Sequence, residues 1–209
     1  MRTRAIDPAG VRDAGAFLAR VERLDPTALV RLRPHRPGVI ALWARLPLGV
    51  LVTRLVRSEL DIDATVRAAE LLAALERGDA ALPPRCDIAW RSALPPAALG
   101  VGTLIDEVPA EEVRRVSAAA ARTVQEAAMR GIGERALRDT LLDQIVMTVI
   151  SEKDPTLVAS VPLRMVQALV RMGFLGADPV RVRQAGPWLG MEATYGAVWY
   201  RPASPLTVR

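Results

Sequence analysis

Glu59, Asp61 and Asp63 alternate in "SELDIDAT". In an extended chain all three carboxylates would lie on one side, an arrangement that suits a hard cation. The stronger reading is capping, because Asp63 immediately precedes a helix-like run and carboxylates favour that position. His35 and Cys86 are the only histidine and the only cysteine, so a zinc site lacks clustered ligands. His35 sits in the turn "PHRPG" with no GxSxG elbow to accompany it and reads as an exposed loop residue. Cys86 follows "LPPR" without a histidine partner and reads as a small packing residue. "GVGT" and "GIGE" each hold two of the three glycines of a dinucleotide turn. Neither follows a strand and opens a helix, so both read as turns. The sequence therefore assigns no catalytic residue, no metal and no cofactor.

The elements that must position any site follow from composition and period. Just over half of the 209 residues are apolar, enough for a buried core. No apolar run follows the basic opening "MRTRAIDPAG", which argues against a secretory signal. The longest apolar region is broken by Arg45, Pro47 and Arg54, which does not suit a membrane span. With one cysteine, the expectation is a cytoplasmic protein. The net charge of +5 is uneven: residues 1–58 carry +7, residues 59–154 carry −6 and residues 155–209 carry +4. Basic ends around an acidic middle fit a nucleic-acid partner, or ends that attract the middle. Arginine outnumbers lysine 27 to 1, a GC-rich, bacterial-type composition that says little about phosphate recognition.

Residues 8–24 read as a helix with an apolar stripe of Val11, Ala14, Phe17, Leu18 and Val21. Strand-like runs follow at 28–33, 38–46 and 50–56, joined by short turns as an antiparallel meander. A helix is expected over 63–77, ending at Gly78. The predicted domains are an α/β unit at 1–78, a Pro-rich linker packed on the surface at 79–109, and a helical unit at 110–209. Within the linker, Trp90 is pinned in a pocket and "VGTLIDEV" forms a strand. In the last unit helices are expected at 110–129, 134–150 and from Ser160, then strands at 180–184 and 195–201. The fold class is α+β, with an α-β-β-β-α unit followed by three helices and a β-hairpin.

The order of three helices, then "MGFLG" and a two-stranded ribbon, resembles a winged helix-turn-helix domain. That resemblance makes residues 160–173 a recognition helix for the DNA major groove. Arg164, Gln167 and Arg171 stand at i, i+3 and i+7 on one helical face, and Arg and Gln can each read a base edge with two hydrogen bonds. Arg181 and Arg183, alternating outward on the wing, would hold phosphates. The aromatic end "GPWLGMEATYGAVWYRP" places Trp199 as a core anchor and leaves Trp188 as the ring free for contact. Two readings stand. One is a DNA-binding or regulatory protein whose partner is double-stranded DNA. The other is an interaction or structural protein with a protein partner or a second copy, in which the same arginines are an ordinary solvated face. Neither involves a membrane.

Overall fold

A computed structural model describes residues 6, 8–79, 81–96, 102–129 and 141–202. Helix α1 (Pro8–Leu24) forms because Ala14, Phe17, Leu18 and Val21 recur on one face and are fully buried, while Arg12 and Arg23 face outward. The chain then turns through β1 (Leu29–Arg36), β2 (Val39–Arg45) and β3 (Leu51–Arg57). These strands pair in antiparallel sequence. Gly38 (φ 73°) and Gly49 (φ 76°) supply the left-handed backbone of the two turns, which side chains with a Cβ rarely adopt.

Beyond β3 the structure departs from the expected order. Residues 64–67 are a short strand, β4 (Ala64–Arg67), laid antiparallel against β1, and helix α2 starts only at Ala68 and runs to Arg77. The β-branched Thr65 and Val66 are buried at this sheet position, and tertiary pairing overrides the helical signal around them. Asp63 consequently does not cap α2. Its carboxylate accepts two hydrogen bonds from the Arg31 guanidinium at 2.6 and 2.9 Å.

In the second half β5 (Thr103–Val108) leads into α3 (Ala110–Met129). A hairpin follows, β6 (Ile145–Ile150) and β7 (Val158–Pro162), then α4 (Leu163–Arg171), β8 (Val180–Ala185), β9 (Trp188–Ala193) and β10 (Gly196–Tyr200). The winged-helix reading fails on this order. A helix expected over 134–150 is replaced over 145–150 by a strand, and its residues 134–140 lie outside the described ones. Residues 160–162, expected to open the third helix, belong instead to β7 and pair with β6. The apolar β-branched run "IVMTVI" explains the error: its period does not separate a buried helix from a strand. The presumed Gly-Pro loop of the wing contains β9, so a three-stranded meander replaces the hairpin.

Eight strands form one antiparallel sheet in the order β4-β1-β2-β3-β10-β9-β8-β5, and β6-β7 form a separate pair. The order reads the same from both ends: an outer strand, then the three strands of a helix-led meander, meeting third strand to third strand at β3–β10. The protein is therefore mostly β, with two similar halves joined across the middle of one sheet. One face of the sheet packs Val30, Leu32, Ile40, Leu42, Val52, Val182, Met191 and Val198 beneath the helices. The opposite face gathers Trp43, Trp188 and Trp199 with Leu51 and Ala197, and Trp90 and Leu94 pack over them. All four tryptophans thus share one layer. The Trp199 ring lies against Gly190, where an added Cβ would stand 2.6 Å from the ring.

Candidate interaction site

The segment from Arg85 to Pro95 runs as a strap across the tryptophan face. It is fixed at the sheet edge through β4. The Cys86 N–H donates to the Thr65 carbonyl at 2.8 Å, and the Thr65 N–H donates to Asp87 Oδ1 at 2.6 Å. Arg85 donates to the Asp63 carbonyl at 2.9 Å and pairs with Asp87 at 2.8 Å. The strap so covers an edge that would otherwise invite strand addition. The Thr65 N–H and Arg85 hold the Asp87 carboxyl below the ordinary carboxylate range, and the Arg31 hydrogen bond does the same for Asp63. A single 3-10 turn, Asp87–Ala89, then sets Trp90 half-buried against the layer, its Nε1 donating to the Ser92 carbonyl at 2.6 Å.

Between the strap, the start of β1 and the β2–β3 turn lies an open groove of about 420 Å³. Ala28, Leu29 and Leu46 line its apolar part; Trp90 contributes its ring, and Arg45 and Arg91 bring guanidinium groups. Asp25 also borders it, but that carboxylate accepts the Thr27 N–H at 2.8 Å and the Thr27 hydroxyl at 2.7 Å. No carboxylate among the described residues pairs with Arg45 or Arg91. Apolar surface, an aromatic ring and unpaired cations in one concave place can hold a segment of another molecule. Among the described residues no three His, Cys, Asp or Glu side chains converge as a metal cluster. Burial pushes the Cys86 thiol up, away from thiolate chemistry. Burial together with Arg36 lowers the His35 imidazole.

The residues expected to touch DNA are dispersed. Arg164 is largely buried. It donates to the Leu48 carbonyl at 2.7 Å, pairs with Asp143 and lies 5.2 Å over the Tyr200 ring. Gln167 points its amide at the Ser117 carbonyl and hydroxyl at 3.4 and 3.3 Å. Arg183 pairs with the buried Glu192 at 3.0 Å, and Trp188 is 8% exposed within the tryptophan layer. Arg171 on α4 and Arg181 on β8 remain exposed. A smaller recess of about 180 Å³ between α3 and α4 includes Gln167 and Arg171. Sequence marks Arg45 only as a charge that interrupts an apolar run, and it does not single out Arg91 or Thr27. The one local signal for Arg91 is "WR" at 90–91 inside a Pro-bounded stretch without period.

Comparison with known proteins defines the fold class first. Over 94% of this chain and 66% of the other, the structure resembles the DNA polymerase sliding clamp from Caulobacter crescentus (TM-score 0.54, 11% identity). The DNA polymerase III subunit beta from Pseudomonas aeruginosa gives a TM-score of 0.57 at 10% identity, over 96% of this chain and 65% of that one. The DNA polymerase III beta subunit from Thermotoga maritima gives 0.50 at 10% identity, over 92% and 63%. The chain thus has a sliding-clamp-like fold, not a winged-helix one, and spans just under two thirds of the length of these proteins. By sequence, residues 96–205 match the family model described as Domain of unknown function (DUF8185), and the chain belongs to that family. Residues 2–92 match a second model, Domain of unknown function (DUF8010). No curated protein matches the sequence.

Proposed function

We propose that this protein is an interaction module: a sliding-clamp-like scaffold that docks a protein segment in the groove between the Trp90 strap and the β2–β3 turn. The observation that carries this reading is the groove itself, where the guanidinium groups of Arg45 and Arg91, without a carboxylate partner among the described residues, border the half-buried Trp90. The likeness to DNA polymerase sliding clamps supports a role near DNA, and the groove supports contact through a protein. Direct base reading is disfavoured, because Arg164, Gln167, Arg183 and Trp188 are engaged within the chain. Helix α3 also intersperses acidic and basic side chains, Glu111 and Glu112 beside Arg114 and Arg115, so among the described residues it supplies no continuous cationic track.

Titration of a labelled mixed-sequence duplex at micromolar protein, across a salt series, tests this. The expectation is weak binding with a shallow salt slope. Tight binding that falls steeply with salt, and that Arg171→Ala with Arg181→Ala removes, would refute the protein-docking reading in favour of DNA contact.

A further inference from the structure

The charges of the groove narrow the chemistry of what docks there. Arg31, Arg33, Arg54 and Arg85 on the surrounding strands and strap each have a carboxylate partner. Arg45, at the end of β2, and Arg91, on the strap, have none among the described residues. They come from different elements and border the same groove. Asp25 is already bonded by Thr27, so two guanidiniums oppose one occupied carboxylate. Guanidinium groups are planar forks that bind carboxylates with two parallel hydrogen bonds. Between them the groove offers the half-buried Trp90 and Leu29, over a floor that includes the buried Ala28 and Leu46.

We propose that the groove takes a peptide segment in which an apolar or aromatic side chain is flanked by carboxylates. Arg45 and Arg91 select the carboxylates, and Trp90 with Leu29 receives the side chain. This rests on the docking reading above and adds the partner's chemistry to it. A nucleic-acid strand fits less well. Stacking sites follow a basic track, and here Asp63 and Asp87 neutralise Arg31, Arg33 and Arg85 beside the groove.

The test uses the full chain labelled with nitrogen-15, the Trp90 indole resonance being assigned through Trp90→Phe. Three probes are titrated: the peptide Asp-Asp-Leu-Phe-Asp-Asp, its amide counterpart Asn-Asn-Leu-Phe-Asn-Asn, and a thymidine hexanucleotide. The acidic peptide should move the Trp90 resonance with about tenfold higher affinity than the amide peptide. Arg45→Gln and Arg91→Gln, singly, should each reduce that affinity severalfold while resonances away from the groove stay in place. In the unmodified chain, raising salt to about 0.5 M should weaken the acidic peptide too. Equal affinity for the two peptides would overturn the acidic selectivity and leave the docking reading standing. Silence of Trp90 toward both peptides would overturn both. Tighter binding of the hexanucleotide than of the acidic peptide would overturn the proposal in favour of nucleic acid.

Discussion

Arg54 and Arg164 hold the junction of the two halves from opposite sides. Arg54 on β3 pairs with Asp13 at 2.6 Å, donates to the Tyr195 carbonyl and lies 5.7 Å over the Tyr195 ring. Arg164 on α4 pairs with Asp143, donates to Leu48 in the β2–β3 turn and lies over Tyr200. Each guanidinium ties its own half to the backbone of the other, across a ladder of only three residue pairs between β3 and β10. Replacing Arg164 by Ala should therefore cost about 1.5–3 kcal/mol of stability, the usual range for hydrogen bonds to a charged group. Arg171→Ala, two turns further along α4 and exposed, should change stability by less than about 0.5 kcal/mol. Urea denaturation of the two variants checks the contrast, and equal losses would remove the seam role of Arg164. From sequence the two arginines share a helical face. Only the fold reveals that this face meets Tyr200 and the β2–β3 turn at one end and ends near solvent at the other.

The strap is the element whose hold depends on pH. Asp63 and Asp87 have carboxyls lowered in the folded state, Asp63 chiefly by the Arg31 hydrogen bond and Asp87 chiefly by the Thr65 N–H. A lowered folded value means that their contribution is complete above the ordinary aspartate range and is lost as pH falls through the folded values. Acidification below about pH 4 should loosen the strap, seen as a red shift of Trp90 emission that is absent in Trp90→Phe. An emission that stays constant until the whole chain unfolds would show that the Asp87 carboxylate does not hold the strap. Element by element, local period located α1 and placed β1, β2 and β3 within a few residues, because Phe17, Leu18 and Val21 repeat as a helix and the strands alternate between short turns. The period misled at β4, β6 and β7. At β4 a short β-branched run is paired by the distant β1, which nothing local records, and at β6 and β7 a short apolar β-branched run has a period that does not separate helix from strand. The groove was illegible for a related reason: Thr27, Arg45 and Arg91 are far apart in sequence, and only the strap's path brings them together.

At the scale of the whole molecule, two family models divide the sequence near residue 94, yet the sheet and its buried core cross that division. Val30, Val52, Val182 and Val198 belong to one apolar cluster beneath the helices. The chain should therefore unfold as one cooperative unit, with tryptophan emission and far-ultraviolet circular dichroism giving coincident urea transitions. Two separated transitions would mean that the β3–β10 ladder is too weak to couple the halves. The mirrored strand order also bears on how the protein is made. Arg54 and Tyr195, which meet across the junction, are 141 positions apart. As the chain leaves the ribosome, β3 is complete long before β10 exists, so its inner edge stays open while most of the protein is still being synthesised. Such an edge is a template for pairing with the wrong strand. Arg54 and Arg57 near its end are the charged residues it carries against that hazard. The final closure waits for the last strand, a slow, long-range step, so the vulnerable period for this protein is its own translation.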